Sequence, residues 1–345
     1  DKTLVGSPWS RALQRALYAL VALFVLIVAG GFAAPRFVRV EVTYVVDAPA
    51  SVVFAQANDF HRLALWALPN AENPNVRLTY SGAKRGEGAM VTWSDPVSGG
   101  GTQQIIESVP YEYISLLLNR GEPGEAVAWI ELAPGAPGTN VTRGFEHDYG
   151  FNLVGRYFGL LWAGMVRRDY LLSLERLAAL VETLPRADFA DIELSEAFVE
   201  ADDIAYAVTT VAGGTDAASR ALGEAYVRVL SFIEAQGLKE SGPPLAILRG
   251  RVGPRRRLDA AVPVTGAIEE IASGRDVRVG RTYEGHVAVA THLGSYVELA
   301  TTHQKMASYL AATGRKRNGD PWEVYVTDPG KTPEARLETR VVYPI

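Results

Sequence analysis

The chain has 345 residues, of which 48% are hydrophobic and 21% are charged, and this composition excludes wholesale disorder and suggests two packed domains plus a smaller element. Its 34 basic and 39 acidic residues give a net charge of −5, so no nucleic-acid partner is expected. The sequence contains no cysteine, which excludes disulfides, thiolate metal sites and cysteine nucleophiles.

The first element in chain order is an uncharged apolar run, ALYALVALFVLIVAGGFAAP, over residues 16–35. At a rise of about 1.5 Å per residue, a helix of this length crosses a hydrocarbon core of about 30 Å. A cleaved signal peptide is the alternative, although its apolar core is usually shorter. Residues 1–37 are therefore predicted to be a tail and a single transmembrane helix, which contacts the lipid bilayer through residues 16–35.

The charges that flank this run predict its orientation. Lys2, Arg11 and Arg15 precede it, and Arg36 and Arg39 follow it. The small excess of positive charge on the N-terminal side favours a cytoplasmic N-terminus. We therefore expect a single-pass protein of the cell inner membrane with periplasmic or other extracytoplasmic soluble domains.

Residues 38–184 are predicted to form an antiparallel sheet that is closed by a long helix. Side chains over residues 40–46 alternate as in a half-buried strand, and Ser51 then caps a short helix. An apolar stripe predicts the long helix over residues 153–184. The stripe consists of Leu171, Leu174, Leu177, Leu180 and Val181. Further strands, each bounded by Gly, Pro or Asn, are predicted over residues 76–81, 89–93, 103–108, 113–118, 126–132 and 140–147.

Three stretches of this domain resemble the SRPBCC or START-like superfamily of polyketide cyclases and lipid-transfer proteins. They are DAPASVVFAQANDFHRLALW, NAENPNVRLTYSGAKRGEGAMVTW and GTNVTRGFEHDYGF. In that superfamily a long helix covers a curved sheet and leaves an apolar cavity for lipids, sterols or polyketides. The resemblance implies a helix-grip domain in which Trp93 and Trp129, with Trp66 and Trp162, are candidates to line the cavity. Ordinary core packing of these rings is the alternative.

A second domain, residues 200–345, follows a polar and proline-containing passage over residues 185–199 that is interpreted as a linker. The domain repeats a strand, helix and strand unit. YAVTTVAGG and SGPPLAILRG flank one predicted helix, and VAVATHLGS and GDPWEVYVTD flank the other. Gly237 and Gly314 are 77 residues apart, and so are Pro244 and Pro321, which predicts a duplicated unit.

This duplicated domain resembles the GyrI-like effector-binding fold, which is found alone or attached to AraC-type and multidrug-sensing regulators. The resemblance is carried by the closing segment WEVYVTDPGKTPEARLETRVVYPI and by GPPLAIL and THLGSYVEL. In that family a cleft at the pseudo-twofold axis accepts flat, often cationic molecules through aromatic rings and a buried acid. Glu323 matches that acid.

The residues around Glu323 are consistent with such a site. On a strand, Glu323 and Tyr325 point to one face and Trp322 and Val324 to the other. A desolvated carboxylate beside aromatic rings favours a cation, which restores charge pairing. A solvent-facing glutamate is the alternative. Tyr296, Tyr283 and Tyr206 are further candidates for ligand binding.

The predicted fold class is therefore α+β: a transmembrane helix, a helix-grip START-like antiparallel sheet domain and a duplicated strand-helix-strand GyrI-like domain. A non-catalytic ligand sensor or carrier is the favoured function, with a hydrophobic or cationic small molecule as partner. An accessory or scaffolding subunit of a larger photosynthetic or respiratory membrane complex, with other subunits as partners, is the first alternative. The second is a hydrolase or cyclase that uses Glu323 as general base. No catalytic residue, cofactor or metal site is otherwise predicted, because the sequence has no nucleophile elbow, metal-ligand cluster or phosphate loop.

Overall fold

The computed structural model describes residues 8–68, 73, 75–95, 99–119, 126–266 and 276–345, with side chains from residue 12 onward and without that of Thr215. The predicted tail up to residue 7, and residues 70–72 and 74 of the second START-like stretch, lie outside this part of the chain. Two compact units are present, one ending at Thr183 and the other beginning at Leu184. Each has its own sheet and its own apolar core.

Helix α1 (Pro8–Ala33) precedes the first sheet. Within the described residues, its segment Ala12–Ala33 is the helix that is long and apolar enough to cross a membrane. Its leucine, valine and phenylalanine side chains are mostly exposed, as Leu20 and Phe24 illustrate. A soluble core helix would bury such side chains, so the protein does not use α1 as part of a core.

In the described part of the first unit, seven antiparallel strands form one sheet in the order β1-β7-β6-β5-β4-β3-β2. The strands are β1 (Phe37–Val46), β2 (Arg77–Gly82), β3 (Ala89–Asp95), β4 (Gly99–Val109), β5 (Tyr113–Asn119), β6 (Ala126–Gly135) and β7 (Gly138–Asp148). Each strand predicted from the sequence is present. Pairing of β1 with β7 brings the first and last strands of the sheet together.

Three helices accompany this sheet: α2 (Ala50–Ala57), α3 (Phe60–Leu63) and α4 (Leu153–Glu182). Helix α4 packs against β1, and Val166 and Tyr170 join Val40 and Phe145 in one apolar cluster. The helix ends two residues before the predicted end. Leu171, which the sequence places in the buried stripe, is 41% exposed, because the buried face runs instead through Val166, Tyr170, Leu174, Leu177 and Val181.

In the second unit, the described strands form a sheet whose main path is β13-β9-β12-β11-β15-β16-β14-β8, with β10 paired to β12. The strands are β8 (Glu193–Val199), β9 (Asp203–Val211), β10 (Lys239–Glu240), β11 (Leu245–Val252), β12 (Arg255–Thr265), β13 (Arg278–Arg281), β14 (Gly285–Leu293), β15 (Trp322–Tyr325) and β16 (Glu338–Pro344). Helices α5 (Thr215–Ala235) and α6 (Leu299–Thr313) connect strands within the two repeats.

The passage over residues 185–199 differs from the predicted linker. Its last seven residues form strand β8, which pairs with β14 along the edge of the second sheet. The strand exposes Glu193, Glu196 and Phe198, the last at 59%. Because its side chains are mostly exposed and polar, this edge strand resembles a loop in sequence.

The duplication is visible in the centre of the second sheet. Strands β11 and β15 pair antiparallel, with Ala246 opposite Glu323, and these two residues are separated by the same 77 positions as the repeated glycines. The pseudo-twofold axis therefore passes between these two strands. One face of the sheet packs against α5 through Ala205 and Ala207, and the opposite face carries a separate cluster that includes Ile204 and Trp322.

Candidate functional site

A cleft of about 340 Å³ opens at the pseudo-twofold axis of the second unit. Helix α5 and the start of α6 form its walls, and strands β11, β12 and β15 form its floor. Its volume lies in the range of small-molecule sites, which begins at about 300 Å³. Apolar residues predominate in the lining, which includes Leu222, Tyr226, Tyr296, Leu299, Glu323 and Tyr325.

Glu323 places a carboxylate in this cleft because it alternates with Trp322 along β15. Its side chain is only 12% exposed. The hydroxyl of Tyr325 donates to Oε2 at 2.7 Å, and Nε2 of His303 lies 2.8 Å from Oε1. Both oxygens are thus held in position by groups of the cleft itself.

His303 links this carboxylate to a second tyrosine. Nδ1 of His303 lies 2.9 Å from the hydroxyl of Tyr343, and its side chain is 20% exposed. The hydrogen bonds assign the ring hydrogen to Nε2, which donates to the carboxylate, whereas Nδ1 accepts from Tyr343. The result is a continuous network from Tyr343 through His303 and Glu323 to Tyr325.

Three tyrosine rings form an aromatic wall of the cleft. The rings of Tyr296 and Tyr325 meet edge to face at 5.4 Å, and those of Tyr226 and Tyr325 at 6.4 Å. Burial, followed by the nearby carboxylate of Glu323, raises the pKa of Tyr325 well above its ordinary value. Burial likewise raises the pKa of Tyr296, so these phenols stay neutral hydrogen-bond donors at physiological pH.

Tyr226 has a buried hydroxyl for which the described residues provide no hydrogen-bond partner. Burial raises its pKa, and the nearby Glu323 adds to the effect. Tyr226 and His303 are related by the 77-residue repeat, yet within the described part of the chain His303 has two polar partners and the Tyr226 hydroxyl has none. A buried polar atom without a partner is costly, so this hydroxyl is available to a ligand or a solvent molecule in the cleft.

The structure brings only part of the predicted ligand-binding set together. Glu323, Tyr325 and Tyr296 share the cleft. Tyr206 and Tyr283 instead pack on the opposite face of the sheet with the cluster that contains Trp322. Tyr206 is on that face because it alternates with Ala205 and Ala207, which face α5.

Trp93 and Trp129 belong to the first unit and lie on opposite faces of its sheet. The ladder pairs Trp93 with Gly101, on the face shared by residues that pack against α4. Trp129 is opposite Gly144 on the other face, where the Arg39 guanidinium stacks on its ring at 4.8 Å. Trp129 therefore does not face the space between the sheet and α4, whereas Trp93 does.

His303 is the functional candidate that the sequence reasoning missed. It lies seven residues after Tyr296 and four after Leu299, a spacing that places the three on one helix face. The repeat offered a second signal, since it relates His303 to an aromatic residue of α5. Arg256 of the basic run over residues 255–257 also borders the cleft.

Metal binding has no support in the described ranges, which contain no group of three or more His, Asp or Glu side chains positioned to hold an ion. Glu323 and His303 form a pair and have tyrosines as their further partners. The network is thus one of hydrogen bonds and aromatic rings.

Comparisons with known proteins divide the chain in the same way. Residues 38–182 match the family described as polyketide cyclase / dehydrase and lipid transport, and residues 255–345 match the GyrI-like small molecule binding domain. A comparison with curated proteins gives no match.

Several solved structures are similar to part of the chain. Protein CV1439 from Chromobacterium violaceum is 22% identical over 42% of this chain and 97% of its own, with a TM-score of 0.33. The EcmrR C-terminal domain is 11% identical over 45% of this chain and 97% of its own, with a TM-score of 0.38. A hydrolase from Listeria innocua is 14% identical over 44% of this chain and 91% of its own, with a TM-score of 0.32.

The family matches confirm the predicted resemblances and their order, and the two antiparallel sheets confirm the predicted α+β class. The GyrI-like match begins at β12, and the strands and helix before it complete the duplicated sheet. Behind an apolar N-terminal helix, the chain thus has one segment that matches the polyketide cyclase / dehydrase and lipid transport family and a later segment that matches the GyrI-like small molecule binding domain.

Proposed function

We propose that this protein is a membrane-anchored ligand sensor or carrier whose second domain binds a hydrophobic organic cation in the cleft around Glu323. The observation that supports this proposal is a largely buried carboxylate in an apolar, tyrosine-lined cleft. Hydrogen bonds from Tyr325 and His303 orient the carboxylate without supplying a fixed full positive charge. A ligand cation supplies that charge and stacks on the rings.

Charge around the cleft favours one orientation of such a ligand. The cationic group lies beside Glu323 and the edge-to-face pair of Tyr296 and Tyr325. Its apolar body contacts Leu222 and Leu258 on the first-repeat side. Arg256 at the border repels a second positive charge, so a molecule with one localised cation fits better than a polycation.

Anchoring is the second part of the proposal. The 22 residues from Ala12 to Ala33 have the length and composition of a membrane-spanning helix, and their exposed apolar side chains need a non-aqueous surrounding. The flanking charges favour an inner-membrane protein with both soluble domains on the extracytoplasmic side. The chain then presents its cleft to that compartment.

The test is a titration of the full chain in mild detergent with rhodamine 6G, a flat aromatic cation, followed by fluorescence anisotropy. Glu323→Gln keeps the size of the side chain and removes its charge, so we expect affinity to fall about tenfold to a hundredfold, the effect of losing about 1.5–3 kcal/mol from a charged contact. Glu131→Gln, an exposed position on β6 of the first domain, is the matched control and should bind as the unchanged protein does.

The anionic dye fluorescein serves as the ligand control. Its binding should be weak in the unchanged protein and in Glu131→Gln, because the Glu323 carboxylate repels an anion. Equal rhodamine affinity in the Glu323→Gln and Glu131→Gln proteins would rule out the cleft as a cation site.

A further inference from the structure

The first half of helix α4 carries an exposed apolar stripe beside the end of α1. Phe151 just before the helix is 88% exposed, and the stripe continues through side chains that are 62–78% exposed. They are Val154, Phe158, Leu161 and Met165. Intervals of three and four residues place them on one face of the helix, with Leu160 flanking the stripe.

Contacts with α1 fix where this stripe lies relative to the apolar span. The hydroxyl of Tyr157 donates to the carbonyl oxygen of Ile27 at 2.8 Å. A Cβ on Gly31 would come within 2.8 Å of the Cβ of Leu153, so the two helices touch closely here. Ile27 precedes the end of the span by six residues, or about 9 Å of helix. The first turns of α4 therefore lie at the depth of the last turns of α1.

The charge pattern of α4 agrees with this depth. From residue 151 to residue 166 the sequence has one charged side chain, Arg156, and that residue is only 8% exposed. Its guanidinium donates to the carbonyl oxygens of Gly31, Phe32 and Ala34 at the end of α1, each at 3.3 Å. The charge is thus directed at a helix C-terminus and away from the apolar stripe.

Charged side chains resume where the stripe ends. Arg167 and Arg168 follow Met165 on exposed positions of α4. Arg36, just before β1, pairs with Asp148 and keeps 55% of its side chain exposed. Arginines at this position suit the headgroup layer, where long basic side chains reach phosphate groups.

From these observations we infer that the first four turns of α4 are embedded in the lipid bilayer beside α1, and that this stripe seats the polyketide cyclase-like domain directly on the membrane surface. The occupant of the stripe is the acyl-chain and headgroup boundary of the bilayer, which is continuous with the surface around α1. The inference rests on the anchoring part of the proposed function and is independent of the cleft. In this arrangement the first domain stays in contact with lipid. A domain linked to the membrane through α1 alone would move freely in solution.

The test uses the natural absence of cysteine. Single cysteines replace Phe158, Leu161, Leu20 and Glu175 in the full chain, each is labelled with nitrobenzoxadiazole, and the proteins are reconstituted into phosphatidylcholine vesicles with or without brominated acyl chains. Glu175 is exposed on the same helix two heptads after Leu161, so it is the matched control for the stripe. Leu20 lies in the middle of α1 and reports the anchor itself.

Labels at positions 158 and 161 should be quenched by brominated lipid about threefold or more above the label at position 175, as expected for side chains at the acyl boundary. Strong quenching at position 20 with none at 158 and 161 would overturn this inference and leave the anchor intact. An absence of quenching at position 20 would overturn the anchor and the inference together. A blue-shifted but unquenched label at 158 would show that a protein surface covers the stripe, which also overturns it.

Discussion

Glu323 and Ala246 face each other across the central pair of strands, although the repeat makes them equivalent positions. The same contrast recurs at the next pair of equivalents, Tyr325 and Leu248, which both line the cleft. One half of the pseudo-symmetric cleft therefore carries a carboxylate that the other half lacks. A ligand with a cationic end and an apolar body has one favoured orientation in such a cleft, because only one half supplies the carboxylate.

Tyr226 allows this asymmetry to be tested through stability. Its buried hydroxyl has no partner among the described residues, so Tyr226→Phe should raise the free energy of unfolding by up to about 1 kcal/mol. Tyr325→Phe is the contrasting variant, because it removes the hydroxyl that donates to Glu323 and should lower stability by about 1.5–3 kcal/mol.

Thermal unfolding of the full chain in detergent measures both effects. A clear destabilisation by Tyr226→Phe, similar to that of Tyr325→Phe, would show that the Tyr226 hydroxyl is satisfied in the ligand-free protein. In rhodamine titrations, Tyr226→Phe should lower affinity if that hydroxyl bonds the ligand.

At this scale the sequence predicts part of the site. Alternation along β15 correctly places Glu323 and Tyr325 on one face, since a strand of four residues leaves no other choice. In the structure, Tyr206 and Tyr283 lie on the face of the sheet opposite to Glu323 and Tyr325. Family resemblance names residue types and not faces, so neither position follows from it. The helical spacing places His303 on the same face as Tyr296 and Leu299, but its hydrogen bond to Glu323 depends on how the helix crosses the sheet.

At the scale of elements, the junction of α1 and α4 is the least expected feature of the first unit. Arg156 is buried and bonds to three carbonyl groups at the end of α1. Those carbonyls lack intrahelical partners because they belong to the last turn of a helix. One guanidinium therefore closes a helix end and joins two helices that are more than one hundred residues apart in sequence.

Replacing Arg156 by Gln should open this junction. We expect the free energy of unfolding of the first domain to fall by about 2–4 kcal/mol, because buried carbonyl groups lose a charged donor. Amide hydrogen exchange of the full chain should show faster exchange in peptides covering residues 27–34 and 150–158. Arg168→Gln, an exposed arginine on the same helix, is the control, and equal exchange in the two variants would contradict a role for Arg156 in joining the helices.

Element boundaries show what periodicity determines and what it leaves open. The long helix is predicted to within two residues at its end, since its apolar repeat is regular. Its buried face keeps Leu174, Leu177 and Val181 of the predicted stripe, but Tyr170 is buried in place of Leu171. Residues 193–199 belong to the passage that is predicted as a linker because it is polar and contains proline. They form strand β8 at the end of the sheet path, where polar side chains resemble those of a loop.

On the scale of the whole molecule, the sequence specifies two domains because each carries its own pattern: strands before a long helix in one, and a 77-residue repeat in the other. The structure divides into two compact units between Thr183 and Leu184. Apolar cores form separately in the two units. A ligand that binds in the cleft is therefore expected to stabilise the second unit and to leave the stability of the first unchanged.

This division predicts how ligand binding affects unfolding of the entire chain. A ligand that binds only the folded second domain stabilises that domain by about 2.7 kcal/mol when its concentration is one hundred times its dissociation constant. In calorimetry of the full chain in detergent, rhodamine 6G should raise the unfolding temperature of one transition and leave a second one unchanged. Glu323→Gln should abolish this increase at the same dye concentration, whereas Glu131→Gln should preserve it. If both transitions rise together in the Glu323→Gln protein as well, the dye acts through the micelle or the first domain, and the stabilisation cannot be assigned to the cleft.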